Sequence, residues 1–360
     1  MTIRALCITG DPDKPTIATF VGLRRAGIDV SVVRTGSEAA NDILHAAGVA
    51  LPDIPVTGRI AVAGVRRLRA ELLRGRYDIL HLFGNRALEH GLRASRGLPV
   101  RIVAYRGIVG NVSFFSPVSW QRYLNPRIDR IVCVADAVRD YFLHMRPARW
   151  RIPEQRLVTI HKGHSLDWYT HPPADLRELG VPEGAFTVVC VANYRPRKGI
   201  ELLVETMSAL PGDVHLLLVG HMDAAALDRR IAANPAAARI HRPGYLGNAP
   251  AVAAACDVAV LASVKREGLP RSVIEAMAYE TPPVVTDSGG SPELVVDGVS
   301  GIVVPAGDPA AIAGALRRLY DNPDLARRMG AAARERIRTH FRIEDTIAKT
   351  ESLYRELVKT

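Results

Sequence analysis

Residues 263–298 read SVKREGLPRSVIEAMAYETPPVVTDSGGSPELVVDG, and this stretch decides the fold. A polar loop, Lys265-Arg266-Glu267-Gly268-Leu269-Pro270-Arg271, leads into a helix predicted over Val273 to Glu280 with Ser272 as its N-cap. The run PPVVT then reads as a buried strand and Ser288-Gly289-Gly290 as a glycine turn. A helix start offers free N–H groups and the positive end of a dipole, so it is a ready anion site. Two carboxylates bracket it, Glu267 and Glu275, spaced E-x7-E. Neither favours a bound phosphate; both suit accepting hydrogen bonds from hydroxyls such as those of a sugar and a ribose. Taken alone, a glutamate in the first helical turns and a Gly-Gly turn are ordinary structural choices.

Upstream of this stretch, Phe186 to Ala192 reads as an apolar strand. It is followed by Asn193-Tyr194-Arg195-Pro196-Arg197-Lys198-Gly199 and a helix over Ile200 to Ala209. Strand, basic glycine turn and helix make a second anion-binding corner, where Lys198 and Arg195 can neutralise a diphosphate without a metal ion. Further strands are predicted at His215 to Gly220 and Asp257 to Ala262, with a helix at Ala249 to Ala255. Downstream lie helices near Ala310 to Tyr320, Asp324 to His340 and Ile343 to Lys359.

The strings EGLPRSVIEAMA, PPVVTDSGGSPELVVDG and SGIVVP closely resemble the donor-binding region of retaining GT-B glycosyltransferases, the large family numbered 4. The resemblance covers the second half of the chain by motif and the first half by architecture. It implies an α/β fold of the GT-B kind: two Rossmann-like domains facing each other across a cleft. The implied domains are residues 1–165 on the acceptor side, a linker over 166–182, a nucleotide-sugar domain over 183–340, and a helix over 341–360 returning to the first domain. It also implies transfer of a glycosyl group from a UDP- or GDP-sugar to an acceptor hydroxyl with retention, without a cofactor or metal. By this resemblance Glu267, Lys198 and Arg195 act at the reacting centre. Gly268, Leu269, Pro270, Arg271, Ser272, Glu275, Tyr245, Gly289 and Gly290 hold the donor. The family often carries an arginine where this chain has Asn193; Arg195 and Arg197 lie near, and the duty is assigned to Arg195.

The first half alternates strand and helix: Ile3 to Thr9, a helix over Thr16 to Ala26, then Gly27 to Val33. This β-α-β opening predicts a parallel sheet. More strands are expected at Ile79 to Phe83, Val100 to Tyr105, Arg130 to Val134 and Leu157 to Ile160. Asp11-Pro12-Asp13 matches a metal-diphosphate D-x-D pattern but reads as a turn after the first strand. His81 and Asn85 fall at a strand's carboxyl end, where open α/β sheets place ligand groups, and a lone strand histidine is more often a satisfied core residue. In the family this strand end resembles H-x-H, whereas here Phe83 holds the second place. Arg106 and Gly107 open a glycine-rich loop that suits the acceptor side.

At 360 residues with 48% hydrophobic and 23% charged, the chain is expected to be two globular domains. No run of about 20 apolar residues is present, so no spanning helix is expected. The N-terminus lacks a signal-peptide pattern, which points to the cytoplasm. Cys7, Cys133, Cys190 and Cys256 are widely spaced and read as buried thiols rather than zinc ligands. The net charge of +10 is concentrated: Arg59, Arg66, Arg67, Arg69, Arg74, Arg76, Arg86, Arg93, Arg96, Arg101 and Arg106 face only Glu71, Asp78 and Glu89. Such a surface favours anionic lipid, an anionic glycan or nucleic acid, and arginine-rich usage can also reflect a GC-rich genome. Ala61 to Arg74 is amphipathic; it packs on the sheet or, as a basic surface helix, grips anionic lipid at the inner face of the cell membrane. Nucleic acid is disfavoured because aromatic residues do not interleave with the basic ones. Family habit points to a glycan or lipid-linked acceptor in lipopolysaccharide or other cell-envelope assembly. Two alternatives remain: a non-enzymatic polyanion-binding protein, or another GT-B enzyme such as a sugar-nucleotide epimerase.

Overall fold

Short runs dense in Val, Ile and Leu, each closed by a polar or glycine turn, alternate with amphipathic segments along the chain. A computed structural model folds them into strands and helices in turn. It describes residues 2–34, 39–52, 54, 61–146 and 150–359, so Arg59 of the basic stretch lies outside the described residues. The chain divides into two units, residues 1–163 with 342–360, and residues 164–341.

The first unit opens with β1 (Arg4–Thr9), α1 (Lys14–Arg25), β2 (Asp29–Arg34), α2 (Ala39–Ala46) and α3 (Val62–Gly75). It continues with β3 (Ile79–Phe83), α4 (Asn85–Ala94), β4 (Arg101–Arg106), α5 (Pro117–Trp120), β5 (Arg130–Cys133), α6 (Asp136–Leu143) and β6 (Leu157–Thr159). The six strands pair in parallel in the order β2-β1-β3-β4-β5-β6. The second unit contains β7 (Phe186–Val191), α7 (Ile200–Thr206), β8 (Val214–Val219), α8 (Ala225–Ala232), β9 (Ile240–Gly244) and α9 (Ala249–Ala255). After these come β10 (Val258–Leu261), α10 (Arg271–Ala278), β11 (Pro283–Thr286), α11 (Ser291–Leu294), β12 (Ile302–Val304), α12 (Pro309–Tyr320) and α13 (Pro323–His340). Its sheet is also parallel, ordered β12-β11-β10-β7-β8-β9. The closing helix α14 (Ile343–Lys359) belongs to the first unit.

Successive strand residues point to opposite faces, and each face finds its own helices. In the second unit Val188, Cys190, Leu216 and Leu218 join Leu203 of α7 and Ile312 and Leu316 of α12. The alternate residues Val189, Leu217 and Val219 join Val252 and Ala253 of α9. In the first unit Ala5, Cys7, Ile79 and Val103 pack with Phe20 and Leu23 of α1 and with Leu353, Tyr354 and Leu357 of α14. All four cysteines are buried free thiols.

Several bounds differ from the sequence expectation, each for a local reason. Helix α1 starts at Lys14, two residues early, because Asp13 caps it: its Oδ1 accepts from Thr16 N at 3.2 Å. The second carboxylate of Asp11-Pro12-Asp13 is thereby a helix cap. The stretch 166–182, expected as a linker, folds onto the second unit instead. Ala174 N donates to Ala251 O at 3.0 Å, and Leu176 and Leu179 pack beside Val252. Two aliphatic residues at that spacing were enough to tie down a segment whose prolines suggested a free connector. In α3 the stripe Gly64, Leu68, Leu72 and Gly75 is buried, and the helix packs against α4. Arg69 on its flank donates to Ala94 O and Arg96 O at 2.9 and 2.8 Å, satisfying carbonyls at the end of α4. Part of the basic excess is therefore structural.

Candidate functional site

The second sheet reverses its winding between β7 and β10, and ligands in such sheets bind outside the carboxyl ends of the strands at that reversal. The loops after these two strands meet there. Glu267, in the loop after β10, is 5% exposed. Its Oε1 accepts from Ser263 Oγ at 2.6 Å and Lys198 Nζ at 2.7 Å, with Arg197 Nη1 at 3.5 Å. Lys198 and Arg197 both come from the turn after β7. Two glycines hold this loop from either side. A Cβ on Gly199 (φ +64°) would lie 2.0 Å from Ala262 O, and one on Gly289 (φ +59°) would lie 2.2 Å from Glu267 O. Both positions therefore require glycine, for the left-handed backbone and for the close approach. Arg266, directly before Glu267, is itself left-handed at φ +65°, a strained backbone of the sort that collects at functional loops.

Helix α10 begins at Arg271, behind an extended Pro270 as N-cap, and no side chain caps it. Ser272, expected as the cap, is the second helical residue; the extended backbone of Pro270 takes the cap position two residues earlier. The helix start is thus left for an anion. Gly268, Leu269 and Pro270 form the approach to it, with Leu269 packed beside Val273. Glu275 is one turn in and pairs with Arg271, Oε1 to Nε 3.3 Å. At the next strand end, Gly290 caps α11. The Oγ atoms of Ser288 and Ser291, on either side of Gly289-Gly290, are buried and have no hydrogen-bond partner among the described residues. Sequence reasoning named the glycines and missed these serines. The available signal was a pair of hydroxyls at a turn that the glycines force against Glu267. Tyr245, after β9, is 67% exposed and stacks on His221 at 5.1 Å. An open hollow of about 500 Å³ adjoins it, lined by Met222, Asp223, Arg242 and Gly244. Arg195 is exposed, and it is the neighbouring Arg197 that reaches Glu267.

The first unit places its expected residues differently. His81 is 3% exposed, and its Nδ1 lies 2.7 Å from Tyr354 Oη on α14. Burial pushes its pKa down to about 3, so the ring stays neutral in ordinary buffers. His81 is therefore a core residue joining β3 to α14. Phe83 stacks on Tyr105 at 5.2 Å and meets Phe20 edge-on, filling with hydrocarbon the place of a second histidine. Asn85 is exposed at the first turn of α4. Arg106, expected to face an acceptor, is 4% exposed; its Nε donates to Ile108 O at 2.9 Å and its Nη2 to Gly110 O. Its guanidinium also lies over Tyr123, 4.6 Å from the ring centre. The loop that begins at Gly107 is wrapped around this guanidinium, so Arg106 shapes the loop and does not line a pocket. A cavity of about 30 Å³ beside His81, Tyr105 and Lys162 has room for one or two waters.

The chain matches the model of the glycosyl transferases group 1 over residues 173–336 and that of glycosyltransferase family 4 over residues 19–168. It is 30% identical to the phosphatidyl-myo-inositol mannosyltransferase of Mycobacterium leprae over 360 residues, covering 92% of this chain and 91% of that protein. The chain belongs to the group 1 glycosyltransferases. Solved structures agree on the GT-B fold. A glycosyltransferase from Rickettsia africae superposes with a TM-score of 0.82 at 18% identity, covering 100% and 99% of the two chains. Anabaena HepE in complex with UDP gives 0.80 at 20% identity, covering 99% and 100%.

In this glycosyltransferase the second unit gathers Glu267, Lys198, Gly289 and the start of α10 at one crevice, while the first unit keeps His81 and Arg106 inside. Close to the His81 cavity, Lys162 Nζ donates to Asp13 Oδ2 at 3.0 Å and lies 5.2 Å from the Tyr105 ring centre. Burial alone would raise the Asp13 pKa, but Lys162 and Thr16 outweigh it and hold the carboxyl below its ordinary value. Burial likewise opposes charge on Lys162, yet Tyr105 and Asp13 hold its pKa above the ordinary value. The carboxylate's contribution is complete above an ordinary carboxylate pKa of about 4 and is lost as pH falls through the lowered folded value. His81 adds to the acid loss, because the unfolded chain binds a proton below about pH 6.5 that the folded chain refuses. Urea unfolding as a function of pH is therefore expected to show stability falling on acidification. The loss below about pH 4 should be shallower in Asp13→Asn. An unchanged acid limb in that variant would remove Asp13 from the account.

Proposed function

We propose that this glycosyltransferase moves a sugar from a UDP- or GDP-sugar to an acceptor hydroxyl, with retention of anomeric configuration. The reading rests on one observation above the others: a buried carboxylate, Glu267, held by two cations and a hydroxyl at the sheet's winding reversal, beside an uncapped helix start. The strand ends from β11 through β10, β7 and β8 to β9 form a row. An elongated ligand with hydroxyls at one end, a diphosphate in the middle and an aromatic base at the other suits that row. Glu267 then accepts from donor-sugar hydroxyls, and Glu275 from the ribose. Lys198 and Arg197, with the first N–H groups of α10, take the charge that grows on the departing diphosphate. Ser288 and Ser291 find partners on the sugar or its phosphate, and Tyr245 offers its ring to the base. Arg197 takes the share first assigned to Arg195.

The acceptor in this reading is a cell-envelope glycan or a lipid-linked precursor, as in lipopolysaccharide assembly, met from the cytoplasm at the membrane's inner face. The name of the Mycobacterium leprae relative, a mannosyltransferase of an inositol lipid, supports a lipid-borne acceptor. No described helix is long and apolar enough to cross a membrane, so attachment would be peripheral.

Thermal shift with UDP, GDP, ADP and CDP, each with and without EDTA, tests the donor site. One nucleotide is expected to stabilise the chain independently of EDTA, by about 2.7 kcal/mol at a hundredfold excess over Kd. That gain should vanish in Glu275→Ala and Lys198→Ala. Indifference to all four nucleotides would sink the reading. The anomeric configuration of the product, read by NMR, decides retention.

A further inference from the structure

Single exposed apolar side chains are normal on a protein surface, whereas several in contact are not. In the first unit Phe115 is 72% exposed, Trp120 42% and Trp150 39%. They form one patch through the buried ring of Phe114, whose centre lies 6.1 Å from Trp120 and 5.9 Å from Trp150, with Phe115 6.0 Å from Trp150. The patch is held in place rather than loosely displayed. Trp120 Nε1 donates to Phe114 O at 2.8 Å, and Ser113 N donates to Ser119 Oγ at 3.1 Å, closing the loop onto α5. None of the side chains of Phe115, Trp120 and Trp150 belongs to the buried core clusters of the described residues.

From His90 to Ile128 the sequence contains six arginines and no Asp or Glu. Of these Arg122 pairs with Glu89, Arg101 pairs with Asp129 and Arg106 is buried, so the exposed positive charge next to Trp150 comes from the chain around it. Arg146 and Arg151, on either side of Trp150 in the chain, are exposed. The first acid beyond them, Glu154, is bonded to Arg139. Ring geometry narrows the partner. The rings lie at 46°, 68° and 60° to one another, a wedge rather than a pair of parallel faces that would clamp a base or a sugar ring. Phe115 carries no polar group with which to bond a hydroxyl. A tilted aromatic wedge flanked by arginines fits the boundary between lipid headgroups and acyl chains.

We infer that this patch docks the protein on an anionic phospholipid surface. Phe115, Trp120 and Trp150 enter the headgroup boundary, and Arg146 and Arg151 meet lipid phosphates. This gives a place to the membrane contact of the preceding reading and rests on it only for its purpose. It also moves that contact away from α3, whose apolar stripe is already covered by α4.

The test is co-sedimentation of the full chain with phosphatidylcholine vesicles, with and without phosphatidylglycerol, in the absence of donor and acceptor. Binding is expected only with the anionic lipid and should weaken with salt. Phe115→Ser should cost about tenfold in affinity or more. The paired charge reversal Arg146→Glu with Arg151→Glu should abolish binding, and unchanged melting temperatures exclude misfolding because all three residues are exposed. Wild-type binding by Phe115→Ser, or equal binding to neutral vesicles, overturns the inference. So does self-association that is lost in Phe115→Ser without any vesicle binding, which would make a second copy the occupant. Nucleotide stabilisation that persists while vesicle binding fails would reject the docking patch and leave the donor site standing.

Discussion

Glu267→Gln is expected to lower kcat/KM by about a hundredfold to a thousandfold, the usual effect of removing one preorganised electrostatic group from a reacting centre. The amide keeps the shape of the carboxylate and one acceptor oxygen but loses the negative charge that balances Lys198 and Arg197, which lie 2.7 and 3.5 Å from its Oε1. Their side chains are 16% and 28% exposed against 6% for Glu267, so solvent replaces the lost partner poorly. Removing one member of such a buried set costs about 3–5 kcal/mol, and the variant should also melt earlier. A second variant separates the two effects: Lys198→Met added to Glu267→Gln removes an orphaned charge and should recover stability without turnover. Initial rates and thermal melts on the three proteins decide the matter. Near wild-type rates in Glu267→Gln would exclude Glu267 from the reacting centre.

Gly289→Ala should be a severely damaging small substitution in the second unit. Its Cβ would sit 2.2 Å from Glu267 O and 2.9 Å from Glu267 C, both backbone atoms that cannot swing aside. Left-handed strain adds to the collision, and together they should cost about 2–5 kcal/mol. Gly298 provides the control, since it is left-handed at φ +74° but has nothing within 4 Å of its added Cβ. Gly298→Ala carries the strain alone, about 1 kcal/mol. Chemical denaturation of both variants isolates the contact. If they unfold alike, Gly289 is not pressed against the Glu267 loop as described. The surviving folded fraction of Gly289→Ala should also have lost nucleotide-induced stabilisation, because the displaced loop carries Glu267.

Elements with dense local signals were legible in the sequence. The bounds expected for β3, α9 and α14 match the structure residue for residue, because turn residues or polar clusters flank a clean apolar pattern. What failed depended on direction or on distant packing. Arg195 is the extended residue that opens the tight 3-10 turn Pro196–Lys198, Arg197 lies inside that turn, and a step along it swings a side chain by about 120°. Spacing along the chain could not say which of them faces Glu267. Arg106 looked available because it follows a strand, yet the loop beyond it folds back to meet its guanidinium, which only tertiary structure reveals. Ser272 had the right chemistry for a cap, and the backbone of Pro270 took that position first. The hydroxyls of Ser288 and Ser291 were passed over because serine in a glycine turn is ordinary, and only burial shows that these two lack a partner among the described residues.

The closing helix has a consequence for biosynthesis. Tyr354 on α14 is fully buried against His81 and Cys7, and Leu353 and Leu357 complete the same core. On the ribosome the second unit, one continuous segment from residue 164 to 341, has its whole sequence in hand before the first. The first unit cannot close its core until α14, which follows the second unit in the chain, has been made. Completion of the first unit therefore waits for synthesis of the whole second unit.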